Sequence, residues 1–288
     1  MIVEKSKIPP TWCPGCGDYA VLKAVESSLA NLKRDPKDVV IVSGIGCSSN
    51  LPHFLNTYGI HGIHGRAIPI ATGVRLANHD LTVLVTGGDG DGYGIGLGHF
   101  LHAARRNINL TYIVMNNQIY GLTTGQVSPT SEKYTKTKST PTGSIEEPVN
   151  PIALALMSGA TYVSRGFSGE INHLATLVEN AIRHNGFSLV DVLSPCVSFN
   201  KLNTYSFFRE RVYTLEGENH DAGSMEGALA KSMEWGARIP IGLFYETQKK
   251  TYEEEEPALE SGPLAKQSLI FDRHLVEEFI ARCWFSEE

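Results

Sequence analysis

No stretch of this chain stays apolar for the roughly 20 residues that a membrane-spanning helix needs. The opening segment, MIVEKSKIPPTWCPGCG, holds no apolar signal-peptide core. Both absences lead us to expect a soluble, cytoplasmic protein. Basic blocks are missing as well. The net charge is −6, and no run of Lys and Arg is long enough to neutralise a phosphate backbone, so nucleic acid is not an expected partner. Cysteine is scarce. The set Cys13, Cys16, Cys47, Cys196 and Cys283 is odd in number and widely scattered, which excludes a disulfide framework as the organising feature. No internal repeat is visible.

What is present is an alternation. A helical pattern starts at Asp18, with Ala20, Leu22, Val25, Leu29 and Leu32 recurring every three to four residues. Short apolar runs at 39–42, 81–86, 110–115, 162–163 and 188–192 read as buried strands. Helical patterns at 67–78, 94–106, 151–158 and 171–184 fall between or beside them. This alternation predicts an α/β fold with a doubly wound, mostly parallel sheet. In such a sheet, loops at the C-terminal strand ends share one crevice. Those loops are 45–50, 87–93, 116–123 and 194–197. The segment 128–150 is rich in Ser, Thr, Pro and Lys, and reads as an irregular lid or partner-facing surface. Beyond Lys201 the chain reads as an irregular C-terminal extension with an acidic run, Glu253 to Glu256, and a last amphipathic segment over 273–283. We therefore expect one domain over residues 1–200 and an extension over 201–288 that packs on a partner.

The densest chemistry lies in 86–124, TGGDGDGYGIGLGHFLHAARRNINLTYIVMNNQIYGLTT. Its glycine turn can bring backbone N–H groups close to a phosphate, because no Cβ intervenes. Asp89 precedes Asn117 by 28 positions, room for a helix and a returning strand, so both can offer oxygen to one hard cation. Together with the Ile119 carbonyl, they suit a magnesium diphosphate. The cysteines stand apart from this. Cys13-x-x-Cys16 alone suits zinc, an iron–sulfur cluster or a redox dithiol. With Cys47 and Cys196 added, either a [4Fe–4S] cluster or a four-cysteine zinc site has its ligands. Cys283 reads as an ordinary thiol, and His99 and His102 as helix-surface or packing residues. His53 and Arg66 flank the loops.

Gly88-Asp89-Gly90 followed after 25 residues by Asn116-Asn117 resembles the thiamine diphosphate fingerprint. Trp12-Cys13-Pro14-Gly15-Cys16-Gly17, Gly44-Ile45-Gly46-Cys47-Ser48, His64-Gly65-Arg66 and Tyr120-Gly121-Leu122-Thr123 narrow this. Together they are similar to the β subunits of 2-oxoacid:ferredoxin oxidoreductases, over about residues 8–200. The resemblance implies that Asp89, Asn117 and the Ile119 carbonyl ligate Mg²⁺. It implies that Gly90, Asp91, Gly121 and Leu122 contact the diphosphate, largely through backbone, and that Ile45, Gly46, Cys47, Ser48 and His64 approach the cofactor's rings. It further implies that Cys13, Cys16, Cys47 and Cys196 hold a [4Fe–4S] cluster, with His64 and Arg66 as catalytic candidates. The implied reaction converts a 2-oxoacid and coenzyme A to an acyl-CoA and CO₂, with electrons passed to ferredoxin. The implied partner is an α subunit, which supplies an activating glutamate in an (αβ)₂ assembly. A short β chain without extra cluster cysteines most resembles the 2-oxoglutarate type.

Overall fold

A computed structural model describes residues 2–268 and 272–284 of the chain. Its centre is an eight-stranded sheet in the order β2-β1-β3-β4-β6-β5-β8-β7. The strands are β1 (Val39–Ser43), β2 (Tyr58–His61), β3 (Thr82–Gly88), β4 (Thr111–Asn116), β5 (Tyr162–Phe167), β6 (Ser188–Leu193), β7 (Val212–Thr214) and β8 (Ile239–Glu246). Six of them run parallel; β8 joins β5 antiparallel, and β7 lies parallel to β8. Every residue of β1, β4, β5 and β6 is buried, as strands of a doubly covered sheet should be, and β5 and β6 bury Arg165 and Asp191 among their apolar residues.

Helices cover both faces. α1 (Asp18–Asn31) and α5 (Ile171–Arg183) lie on one side, where Val21, Val25, Leu174 and Val178 meet Val39, Ile41 and Leu84. α2 (Ala67–Ala77), α3 (Leu97–Arg106) and α4 (Pro151–Met157) take the other, where Ala71, Phe100 and Ile152 meet Val40, Val42 and Val85. The alternation Val39/Val40/Ile41/Val42 between the two layers is the period-two signature of a strand between two cores. In α5, Leu174, Leu177, Val178, Ala181 and Ile182 form one buried stripe at helical spacing. β1 connects outward to β2, while β3 and β4 build the sheet the other way. The strand order therefore reverses between β1 and β3, and that is where such a sheet opens a ligand crevice.

Two regions differ from expectation. β2 lies in a stretch to which the sequence assigns no element; it is a short, mostly exposed edge strand with no apolar alternation to reveal it. The extension after Lys201, expected to be irregular, is largely structured. α6 (Tyr205–Arg209), α7 (Met225–Ser232) and the strands β7 and β8 extend the same sheet. The run Ile239–Tyr245 carries this signal, interrupted by Pro240, which lacks an N–H, and by Gly242 at φ 122°. The acidic run is anchored too. It lies in α8 (Tyr252–Glu255), where Thr251 and Glu254 form a capping box. Buried Glu253 pairs with Arg75 on α2 at 2.8 Å and accepts from the Asn109 backbone N–H. Glu253→Ala should cost about 1.5–3 kcal/mol, read as a Tm several degrees lower. α9 (Arg273–Cys283) is the helix expected from its pattern, and all of its residues are exposed. Among the described residues, no helix is long and apolar enough to cross a membrane.

Candidate active site

The site begins with strand register. Gly88 on β3 pairs with Met115 on β4, so the next residues, Asp89 and Asn116-Asn117, leave the sheet side by side. Gln118 then adopts φ 57°, in the left-handed region, and turns the chain sharply. The Asn117 side-chain oxygen accepts from the Ile119 N–H at 3.0 Å, which fixes the amide's orientation. Asp89 is almost completely buried. Burial pushes its carboxyl up to about 6, opposed by donors that favour the charged form, first among them the Ser128 and Thr130 hydroxyls and the Asn117 N–H.

Those two hydroxyls are not legible in the sequence as site residues. They come from the irregular segment 128–150, expected to form a lid or a partner-facing surface. Its first turn instead tucks under the site, with Ser128 and Thr130 both buried. Thr130 Oγ1 lies 2.7 Å from Asp89 Oδ2 and 2.9 Å from Asn116 Oδ1. Asn116 donates to Asp191 Oδ1 at 3.1 Å, and Tyr93 donates to the same oxygen at 2.9 Å. Asp191 also pairs with Arg165 at 3.4 Å, both side chains buried. The carboxylate at the site thus stands on a buried polar network that reaches β5 and β6. Such supporting partners typically change metal affinity 10–100-fold. Thr130→Val should therefore weaken the affinity of the Asp89 site for a divalent cation by about that factor, measurable by calorimetry with Mg²⁺, with the fold intact.

Asp91 behaves differently from Asp89. Its Oδ1 accepts from the Gly65 N–H at 2.7 Å, the Ile45 N–H at 2.9 Å and His64 Nδ1 at 2.7 Å. One carboxylate oxygen thus gathers the loops after β1 and after β2 onto the loop after β3. A side chain at Gly44 would collide with this carboxylate, which explains the glycine there. A neutral His64 held this way keeps its proton on Nδ1 and leaves Nε2 as an acceptor. Tyr120, read from the sequence only as part of the motif with Gly121, has a role of its own: its ring packs against Gly90, and its hydroxyl donates to the Gly90 carbonyl at 3.0 Å.

These loops enclose a cleft of about 120 Å³. Ile45, Gly46, Cys47, Ser48, His64, Asp89, Gly90, Asp91, Asn117, Ile119, Gly121 and Leu122 all line it. Ser48 Oγ is buried there without a hydrogen-bond partner in the chain, so the cleft holds a polar group ready for a ligand. Arg66 is the exception among the residues expected to contact the cofactor or act in catalysis. It does not line the cleft; its guanidinium backs onto the carbonyls of its own loop, 3.4 Å from His64 O and 3.5 Å from Gly65 O. His53 sits against His61, with ring nitrogens 3.1 Å apart.

The three loops that carry the four cysteines are tied to one another. Trp12 Nε1 donates to the Cys47 carbonyl at 2.7 Å, joining the first loop to the one after β1. The Gly17 N–H donates to the Pro195 carbonyl at 3.3 Å, joining it to the loop after β6. A methyl group at Gly121 would lie 3.5 Å from Cys196 Sγ and 3.9 Å from Cys47 Sγ. Two of the sulfurs therefore border the same cleft that Asp89 and Asn117 line. Burial pushes the Cys47 thiol up to about 11, with the Asp18 carboxylate and the neighbouring Cys196 adding to the rise. Cys13 is exposed, whereas Cys16, Cys47 and Cys196 are partly buried. Among the described residues, no three His, Cys, Asp or Glu side chains are grouped to hold a single metal ion. Cys283 is exposed on α9.

A doubly wound sheet with a carboxylate, an amide and a glycine cradle at the C-terminal ends of β3 and β4 suits a diphosphate cofactor such as that of the thiamine pyrophosphate enzymes. The profile of the C-terminal TPP-binding domain of these enzymes matches residues 44–192. The profile of the C-terminal part of the pyruvate ferredoxin oxidoreductase beta chain matches residues 196–261. The chain is 46% identical to 2-oxoacid:ferredoxin oxidoreductase 1, subunit beta, of Aeropyrum pernix, over 87% of this chain and 82% of that one. It is 45% identical to the 2-oxoacid:ferredoxin oxidoreductase subunit beta of Saccharolobus solfataricus, over 91% of each. A solved structure, 2-oxoglutarate:ferredoxin oxidoreductase from Magnetococcus marinus with 2-oxoglutarate, coenzyme A and succinyl-CoA bound, superposes with a TM-score of 0.90 at 40% identity. That match covers 96% of this chain and 94% of the other. The chain belongs to the β subunits of the 2-oxoacid:ferredoxin oxidoreductases, and so acts as one part of a larger enzyme.

Proposed function

We propose that this chain serves the oxidative decarboxylation of 2-oxoglutarate with coenzyme A: 2-oxoacid + CoA + 2 oxidised ferredoxin → acyl-CoA + CO₂ + 2 reduced ferredoxin + H⁺. The reading rests on one observation, the placement of Cys47 and Cys196 at the border of the cleft that carries Asp89 and Asn117. Thiamine diphosphate, when bound, supplies the carbon nucleophile for the 2-oxoacid carbonyl. Asp89, Asn117 and the Ile119 carbonyl hold Mg²⁺, and Ser128 and Thr130 keep the Asp89 carboxylate aimed. Gly90, Asp91, Gly121 and Leu122 offer backbone to the diphosphate. Ile45, Gly46, Ser48 and His64 face the rings, with His64 Nε2 free to accept a proton. Cys13, Cys16, Cys47 and Cys196 hold a [4Fe–4S] cluster that takes the electrons to ferredoxin.

A cleft of about 120 Å³ is smaller than the roughly 300–1,000 Å³ of a ligand pocket. This small size supports a cleft completed by a second subunit; an α subunit contributing the activating glutamate, in an (αβ)₂ assembly, is what the family resemblance adds to the reading. Five free cysteines suit the reducing cytoplasm. The choice of 2-oxoglutarate draws on the ligands in the M. marinus structure and on a 51% identity over 189 residues to 2-oxoglutarate oxidoreductase subunit KorB of Mycobacterium tuberculosis. The test is viologen reduction by the anaerobically co-purified complex across a panel of 2-oxoacids with CoA. We expect turnover with 2-oxoglutarate; activity with pyruvate alone would overturn the substrate assignment.

A further inference from the structure

A second cavity, of about 230 Å³, backs onto the network that supports Asp89: Asn116, Thr130, Arg165 and Asp191 all line it. The proposed reaction makes no use of it. Two of its lining side chains, Arg165 at 3% and Gln118 at 4% exposure, each carry a buried atom with no hydrogen bond in the chain, Arg165 Nη1 and Gln118 Oε1. The Gln118 amide nitrogen donates to the Thr130 carbonyl at 2.9 Å, which leaves the amide oxygen a bare acceptor. The Arg165–Asp191 pair is loose. Its 3.4 Å separation exceeds the roughly 2.7–2.9 Å of a good charge-assisted bond. Tyr93 and Asn116 both donate to Asp191 Oδ1, so among the described residues this long contact is all that Oδ2 has. Buried donors and acceptors left in this condition cost stability until a partner meets them.

We propose that this cavity binds a small α-amino acid with an apolar side chain, as its zwitterion. The ligand's carboxylate accepts from Arg165 Nη1. Its ammonium donates to Gln118 Oε1 and faces Asp191 Oδ2. Its side chain lies along Pro148, Val149, Met233 and Trp235, the apolar part of the wall. Net charge selects this class. Arg165 and Asp191 are the only ionisable side chains lining the cavity among the described residues, and their charges cancel. A lone anion or cation would bring uncompensated charge into a poorly screened interior. A zwitterion brings none, and sets its two charges head to tail against the protein's own pair. Size agrees as well. Since a water's share of liquid volume is about 30 Å³, the cavity has room for roughly seven or eight waters. That is less than a drug-sized molecule needs, and enough for a short amino acid.

The test is titration calorimetry of the intact complex with L-valine and L-alanine. It reads binding alone, so it needs neither turnover nor a loaded cluster. We expect saturable binding of L-valine. 3-Methylbutanoate, which is valine without its ammonium, and isobutylamine, which is valine without its carboxylate, should each bind at least about tenfold more weakly, because each leaves a buried polar atom unmet. Val149→Phe narrows the cavity without touching the cleft, and should abolish L-valine binding. No binding of either amino acid means that the cavity holds water only, and overturns the inference. Equal affinity for 3-methylbutanoate overturns the zwitterion. Undiminished binding by Val149→Phe places the amino acid elsewhere and overturns the site. Should Val149→Phe fail to fold, Arg165→Lys keeps the charge beside Asp191 but withdraws Nη1; a loss of at least about tenfold supports the site, and an unchanged affinity overturns it.

Discussion

Asp89→Ala is expected to abolish thiamine diphosphate binding while iron content stays at the wild-type level. The expectation follows from where the charge sits. Asp89 is the one carboxylate placed beside Asn117 at the paired ends of β3 and β4, and burial makes its charged form costly unless a cation compensates it. Removing it leaves an amide and a carbonyl, which cannot hold a hard divalent ion with the diphosphate. Loss of a supporting partner alone costs 10–100-fold, so loss of the ligand should cost at least about 100-fold. Thiamine fluorescence and iron analysis on one sample separate this from unfolding. Loss of both cofactors would show that the variant had collapsed a shared site.

The second large effect is the converse. Cys196→Ser should lose iron and viologen reduction while keeping thiamine diphosphate. Cys196 lies on the loop after β6, reached through its own strand and tied to the first cysteine loop by the Gly17–Pro195 hydrogen bond. Its carbonyl accepts from the Asn200 N–H, and the Asn200 side chain donates to the Asn117 carbonyl at 3.0 Å, a backbone link that serine keeps. Serine replaces a soft thiolate with a hard, weakly acidic hydroxyl, a poor iron ligand in a cluster site. Residual CO₂ release without electron output would be the expected signature. Retained iron and retained viologen reduction would mean that Cys196 is not a ligand.

The two variants act on parts of the site that are unequally visible in the sequence. The strands at 39–43, 82–88, 111–116, 162–167 and 188–193 are legible from the short apolar runs they contain, although Ser164 and Arg165 hide most of 162–167 and Asp191 interrupts 188–193. Asp89, Asn117 and the cysteines are legible because their spacing carries chemistry. Ser128 and Thr130 are not. Hydroxyl residues in a Ser/Thr-rich loop look alike, and only the folded chain shows which two meet a buried carboxylate. Asp91 illustrates a subtler limit. Its neighbourhood predicts a diphosphate contact, but the carboxylate itself gathers three loops, a role set by contacts 26 and 46 residues away. Arg66 shares a motif with His64, yet only His64 turns into the cleft. β7 and β8 are hidden by Pro240 and Gly242, and by the acidic run beyond them, which reads as a solvated tail until Arg75 is found beside Glu253.

In the proposed function, electrons released at the Asp89–Asn117 site leave through a cluster held by the four cysteines. The most direct measurement is a single reduction of the anaerobic complex without any acceptor. On adding 2-oxoglutarate and CoA, the broad brown absorbance of the cluster should bleach within one turnover as CO₂ appears. CO₂ release with no bleaching, or a complex that holds thiamine diphosphate but no iron, would contradict the claim and leave a non-redox thiamine-dependent decarboxylase in its place.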